Sequence, residues 1–399
     1  MTIAFGRRAL LGTALAGAPV LAARAQKPAP VKIGVLTDAS GPYGDSGGRG
    51  SLLAARMAAA DFGGTVLGAP VAIQFGDTEN KPDVAAALAR DWFDKGGVDA
   101  VTDLPVTPVA LAVQEVAKEK SRTVMITASA ITEFTSKFCS PISTHWADDV
   151  HAMTTMTAQQ VVKDGGTSWF FITVDFSFGK ALQAAATAVV EANGGKVLGA
   201  ATFPIGNTDF GSQLLRAQSS DAKVIGLAAV GDDQVNAIKQ AAEFGLTRGT
   251  GKTLAGFLIY ITDVNALGLQ AAQGLTLTSG FYWDQTDASR AFSQRFFAEH
   301  RRMPTRNQAS VYLASRHFLK AMAQAGTRDA VAVGKAMRAL PVDYFGRPAS
   351  VRADGRVLYD VTLYRVKSPA ESKAPWDFYT PIGSLPADQA FLPMNPSCA

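Results

Sequence analysis

VKIGVLTDASGPYGDSGGRGSLLAARMAAADFGG, residues 31–64, runs from an apolar strand through a Gly-rich turn into a small-residue helix. The strand is predicted over 31–36 and the helix over 51–62. The unit then repeats. A second strand at 71–75 leads to a helix opening at Pro82, where a missing N–H costs nothing in the first turn. Its apolar face is Val84, Leu88 and Trp92, spaced four apart. Gly96 and Gly97 stop it, and strand 100–103, helix 107–119 and strand 123–127 follow. Successive βα units call for a mostly parallel sheet with right-handed crossovers.

From about 145 the pattern starts again. Helix 149–163 precedes strand 169–174, helix 179–192 and strand 196–201. A helix with Asp209 as its cap comes next, then strand 224–229, helix 233–244 and strand 254–259. A third stretch has a strand at 275–278 and two helices. One carries Phe292 and Phe296 and ends before Pro304; the other carries Val311, Ser315, Phe318 and Met322 and ends at Gly326. After about 351 the texture becomes hairpin-like alternation over 357–366. No Pro/Ser-rich linker marks a seam. The expected architecture is therefore α/β, with two parallel-sheet lobes joined by several strands that cross near 145, 280 and 350.

The first 25 residues stand apart. Arg7 and Arg8 precede an apolar run, 9–23, that is too short to span a bilayer and ends in Ala23-Arg24-Ala25. This reads as an export signal cleaved after Ala25, by a twin-arginine or a general secretory route. Either route leads out of the cytoplasm. Removing residues 1–25 takes three of the 38 basic residues and no acid, which leaves 35 against 34 acidic ones. A chain so nearly neutral, without basic–aromatic clusters, is not read as binding nucleic acid. The two cysteines, Cys139 and Cys398, form a disulfide more readily than a metal site in an oxidising compartment; two free thiols are the alternative.

Three motifs invite chemistry and do not sustain it. Gly44-Asp45-Ser46-Gly47-Gly48 matches the string around a protease nucleophile, but all four histidines follow it and the setting is strand–turn–helix. Gly251-Lys252-Thr253 lacks the first glycine of a phosphate loop and lies between a helix and a strand, the reverse of the required order. His145 and His151 are six apart, not the four of a helical metal face, so a surface or capping role is expected. No catalytic residue, metal or cofactor is expected, and an exported enzyme on this scaffold is the weaker rival.

Together, residues 31–64, GDTENKPDVAAALARDWF at 76–93, NAIKQAAEFGL at 236–246 and GFYWDQTDASRAFSQRF at 280–296 resemble the leucine/isoleucine/valine-type periplasmic binding proteins of ABC importers. The resemblance runs from about 31 to 398. It is closest to the branch associated with aromatic and other organic acids, which shares the Asp-x-Pro stretch at 103–105, KFCSP at 137–141 and a late cysteine. It implies a type I fold, two doubly wound lobes around a cleft linked by three crossing strands, and it favours the Cys139–Cys398 bridge. On this reading residues 26–145 and 280–350 form lobe 1, 146–279 and 351–385 lobe 2, and 386–399 a tail.

The resemblance also carries ligand positions onto Tyr43, Thr107, Ser129, Ile131, Thr132, Phe178, Asp233, Tyr260 and Tyr282. Leu258 falls where amino-acid binders hold an acid against the ligand ammonium, which favours an aromatic or organic acid; Asp233 could substitute for that acid, so an amino acid stays open as the ligand. The implied partner is a membrane permease, with the chain acting as a monomer. The same clamp serving a sensory system is the alternative.

Overall fold

The first half of the chain folds as its periodicity dictates. The computed structural model describes residues 1–4, 28–246 and 252–398. The proposed signal motifs, Arg7-Arg8 and Ala23-Arg24-Ala25, and the start of the Gly251 turn lie outside the described residues. Strand β1 (Val31–Thr37) leads to α1 (Gly48–Asp61), β2 (Thr65–Val66), β3 (Ala69–Asp77), α2 (Pro82–Asp91), β4 (Ala100–Asp103), α3 (Thr107–Lys120), β5 (Thr123–Ile126) and β6 (Ser143–His145). They form one sheet ordered β2-β3-β1-β4-β5-β6, parallel except for the short β2. After α2 the chain widens into a π-turn, Trp92–Gly96, closed by Gly97 at φ 64°. The Trp92 indole fills the face left bare by two strand glycines: a Cβ on Gly34 or Gly76 would stand 2.5 or 2.8 Å from it.

The second sheet repeats the scheme. Helix α4 (Val150–Lys163) is capped by the Asp149 carboxylate, which accepts from Ala152 N at 2.9 Å. Then come β7 (Ser168–Val174), α5 (Ser177–Ala192), β8 (Lys196–Phe203), α6 (Gly211–Ser219), β9 (Val224–Val230), α7 (Gly231–Glu243) and β10 (Thr253–Leu258). All four strands are parallel, in the order β10-β9-β7-β8. Trp169, Phe171 and Phe257 stack across it with centroids 5.8–6.5 Å apart. Asp209, the expected cap of α6, lies one residue before the observed cap position, Phe210, and its carboxylate accepts from Gly211 N.

The remaining elements join the two sheets. They are α8 (Ile261–Leu267), α9 (Leu269–Ala272), β11 (Thr276–Ser279), α10 (Asp287–His300), α11 (Arg306–Ala325), α12 (Ala330–Ala339), β12 (Val342–Tyr344), β13 (Arg347–Val351), β14 (Val357–Leu358), β15 (Val361–Val366), β16 (Tyr379–Leu385) and α13 (Ala387–Ala390). Helix α11 packs on α1, β4 and β5, and α12 on β5. Strand β11 pairs with β15, and β15 with β16; β12, β13 and β14 form a separate small sheet. Strand β14 pairs with β13, and the chain then passes through Tyr359 to β15.

The three passages are tied together where they meet. Asp148, on the first, accepts from Gly280 N on the second at 3.0 Å and from the Tyr359 hydroxyl on the third at 2.8 Å. Arg356 donates to His145 Nδ1 at 3.0 Å and to the Ala147 carbonyl at 2.7 Å. His145 is therefore buried, not at the surface as its spacing implied; desolvation and the Arg356 charge hold its pKa well below the usual histidine range. A buried ring kept neutral can accept from Arg356 while its other nitrogen donates. Phe391 in the tail lies over the Arg356 guanidinium at 4.3 Å, and the Cys139–Cys398 disulfide fastens the tail to the segment after β5. The chain is an α/β protein of two doubly wound lobes joined by three crossing strands. Among the described residues no helix is long and apolar enough to cross a membrane.

Candidate functional site

In both sheets the chain order reverses about a central strand, β1 in the first and β7 in the second. Carboxyl ends at such switch points leave a crevice, because the flanking connections depart to opposite faces. The turns after β1, β4, β5, β7, β9 and β10 converge on one cavity, lined by Tyr43, Ser46, Pro105, Thr107, Ala128, Ala130, Phe176, Phe178, Val230, Leu258, Tyr260 and Asn307. No acidic or basic side chain is among them.

The turn after β1 is built around Asp38. Its carboxylate accepts from Gly41 N at 2.7 Å, Tyr43 N at 2.8 Å and Asn80 Nδ2 at 2.7 Å. This folds the chain back and presents Tyr43, which is buried with its hydroxyl unpaired among the described residues. Burial, with Asp233 and Asp38 nearby, pushes the Tyr43 pKa up, so the phenol stays a donor. Ser46 Oγ donates to the Tyr43 carbonyl at 2.9 Å, so the protease-like string serves as a turn.

At the end of β4 the backbone takes two successive residues of positive φ, Asp103 at 79° and Leu104 at 64°. Paired conformations of this kind are costly for non-glycine residues and persist where surrounding structure enforces them. They aim the chain so that Pro105 and Thr107 reach the cavity and α3 points its amino end at it. Burial pushes the Asp103 carboxyl up to about 6. Thr107 and Ser129 share a buried hydroxyl–hydroxyl hydrogen bond of 3.1 Å. Behind them His145 Nε2 donates to the Ser129 carbonyl at 2.8 Å, fixing the turn after β5.

The facing wall is apolar. Phe176 and Phe178 lie 5.8 Å apart, with Val230 and Leu258 beside them. Tyr260 accepts from Asn307 Nδ2 at 2.9 Å and carries the Arg306 guanidinium 4.9 Å above its ring. Helix α7 begins two residues earlier than its periodicity implied, so Asp233 lies inside its first turn. That carboxyl accepts from Gly206 N at 3.1 Å and is pushed up to about 6 by burial.

Of the residues expected to meet a ligand, Tyr43, Thr107, Phe178 and Tyr260 line the cavity, and Ser129 sits directly behind Thr107. Asp233 is buried outside the lining. Ile131 is buried in the core. Thr132 opens a 3-10 turn and faces a different cleft, shared with Asp149, Arg352 and tail residues Leu392–Pro396. Tyr282 lines a second, separate cavity that Tyr260 also borders, and its hydroxyl donates to the Trp376 carbonyl at 3.2 Å. Sequence reading passed over Ser46, Pro105, Phe176, Val230 and Asn307. Phe176, two residues before Phe178 in the same turn, was within reach of it; Asn307 arrives from a helix far along the chain and left no local signal.

Comparison with known proteins agrees with this architecture. Residues 30–373 match the family model described as periplasmic binding protein. A periplasmic binding protein from Burkholderia mallei is 44% identical, with a TM-score of 0.88 over 91% of this chain and 96% of that one. A branched-chain amino acid ABC transporter periplasmic ligand-binding protein from Burkholderia xenovorans is 35% identical, with a TM-score of 0.80 over 91% and 97%. A solute-binding protein from R. palustris, solved with 4-hydroxybenzoate, shares the fold at 21% identity, with a TM-score of 0.81 over 90% and 97%. No curated protein matches this chain. With a cleft at paired switch points, a family match across most of its length and relatives of this identity, the chain belongs to the periplasmic binding protein family.

Proposed function

We propose that the protein captures a small aromatic or related organic carboxylate outside the cytoplasm and delivers it, as a monomer, to the permease of an ABC importer. The observation that carries this reading is a cavity walled by Tyr43, Phe176, Phe178 and Tyr260, with the Thr107 hydroxyl, hydrogen-bonded to Ser129 outside the lining, and no charged lining residue. Helix α3 brings its positive amino end to Thr107, where a carboxylate is favoured. An ammonium group has no acid to meet in the lining. Leu258 and Val230 stand at the strand ends, and burying an unpaired charge costs several kcal/mol. The ligands of the R. palustris relatives, benzoate and hydroxybenzoate, have this shape and charge.

The route out of the cytoplasm is the segment 1–25, cleaved after Ala25. The clamp closes about the knot of crossings at Asp148, with residues up to about 145 and from 280 to 358 in one lobe and the rest, up to 385, in the other. Binding to one wall and burial by the second follow the hinge pattern of two-lobed receptors. Calorimetric titration tests the ligand class. Benzoate and 4-hydroxybenzoate are expected to bind, leucine not, and Thr107→Val or Ser129→Ala to weaken benzoate about 10-fold. Tight leucine binding with no response to benzoate would overturn the reading.

A further inference from the structure

Two contacts cross the cleft without needing any guest. On one side the Asn307 amide donates to the Tyr260 hydroxyl at 2.9 Å, both residues being buried, while Arg306 stacks on the same ring. Tyr260 follows β10 in the second sheet; Arg306 and Asn307 begin α11, which packs on α1 of the first. On the other side the Pro42–Tyr43 turn of the first lobe rests on Gly231, at the head of α7 in the second. A Cβ on Gly231 would stand 2.9 Å from the Pro42 carbonyl oxygen and 3.2 Å from the Tyr43 ring. Gly231 also has a φ of 60°, which a glycine adopts freely.

We infer that Tyr260, held by Asn307 and Arg306, is a closure latch: a protein-to-protein bond that favours the shut clamp and so sets part of the ligand affinity. The inference rests on the reading of the cleft as one that opens and closes. When the lobes part, the Tyr260 hydroxyl exchanges Asn307 for water, while Arg306 keeps its bonds to the Thr278 carbonyl and Asp148 near the crossings. A hydrogen bond of this kind is worth more buried than hydrated, because the closed cleft excludes the competing solvent. Apparent affinity scales with the fraction of molecules in the binding-competent form, so loosening the latch weakens every ligand by the same factor. Tyr260 and Asn307 are thus positioning residues for closure as well as parts of the wall. The 2.9 Å approach at Gly231 gives the opposite rim a contact that tolerates no larger side chain.

Spin labels on the full chain test this, one at Asp83→Cys in α2 and one at Lys239→Cys in α7. Both sites are exposed, and the native cysteines are engaged in their disulfide. Inter-label distances are measured by pulsed electron resonance without added ligand and during titration with benzoate. Tyr260→Phe, which removes only the hydroxyl, and Asn307→Ala are each expected to shift the distribution towards the long, open distance. The benzoate midpoint should rise about 3- to 10-fold. The double variant should do no more than either single one, since both delete the same bond. Unchanged melting temperatures show that the lobes remain folded, a readout that a purely structural role would move. Distances and midpoints equal to those of the parent in both variants would overturn the latch. If benzoate leaves the parent unmoved while the variants still open, the latch stands and the aromatic-carboxylate reading fails. If benzoate closes parent and variants alike at one concentration, the latch fails and that reading stands.

Discussion

Asp38 shows how much of the site depends on a residue that does not line it. One carboxylate gathers Gly41 N, Tyr43 N and the Asn80 amide, and the turn carrying Tyr43 exists because those donors share it. Asp38→Ala would leave donors near the cavity without their acceptor. Hydrogen bonds to charged groups are the stronger ones and orphaned partners cost more than the bond itself, so the variant should lose about 2–3 kcal/mol of stability in urea denaturation, with weaker benzoate binding. A loss below about 0.5 kcal/mol would show that the turn holds its shape by other means. Tyr43 and Thr107 were legible only through the family resemblance, and they line the cavity because each follows a strand end of a βα unit. Thr132 obeyed the same logic and went elsewhere: residues 132–135 coil into a 3-10 turn that the tail covers.

At the scale of the element, helix starts were the least legible feature. Helix α1 begins at Gly48, three residues before its periodicity implied. Gly48 N donates to Thr37 Oγ1 at 2.8 Å, and Gly50 lets Gln308 of α11 lie where a Cβ would stand 2.2 Å from its amide. Glycine lowers helix propensity, and only packing against a distant helix reverses that. The start of α8 carries a titration. Asp263 accepts from Tyr260 N at 2.9 Å, and burial pushes its carboxyl up to about 7. Its folded pKa lies above the unfolded value, so the unfolded state releases the proton first as pH rises. Stability attributable to Asp263 should therefore fall between about pH 4 and 7 and stay low above that. Asp263→Asn is expected to flatten this decline in thermal melts from pH 5 to 7; an unaltered slope would mean the carboxyl ionises freely in the fold.

For the whole molecule, the tail and the crossings act together. The Cys139–Cys398 bridge ties the last turn of the chain to the segment after β5, and Phe391 covers Arg356 at the knot of crossings. Linking residues so far apart restricts the unfolded chain strongly. The Cys139→Ser, Cys398→Ser double variant should lose about 2–4 kcal/mol in urea denaturation, and reduction of the parent should reproduce the loss. Equal stability of the oxidised and reduced parent would show that the bridge adds nothing to the fold.

Periodicity by itself determined that this chain builds two parallel sheets from βα units, and that their strand ends would carry any site. Both signals are local: apolar spacing and turn residues act over a dozen positions or fewer. Tertiary structure decided which strand ends meet. Pairing Asn307 with Tyr260, setting Pro42 against Gly231 and burying His145 behind Ser129 join residues 47, 189 and 16 positions apart. The first two arise from how two lobes pack across three crossings and the third from how neighbouring strands of one sheet meet, and no local stretch of sequence encodes that geometry.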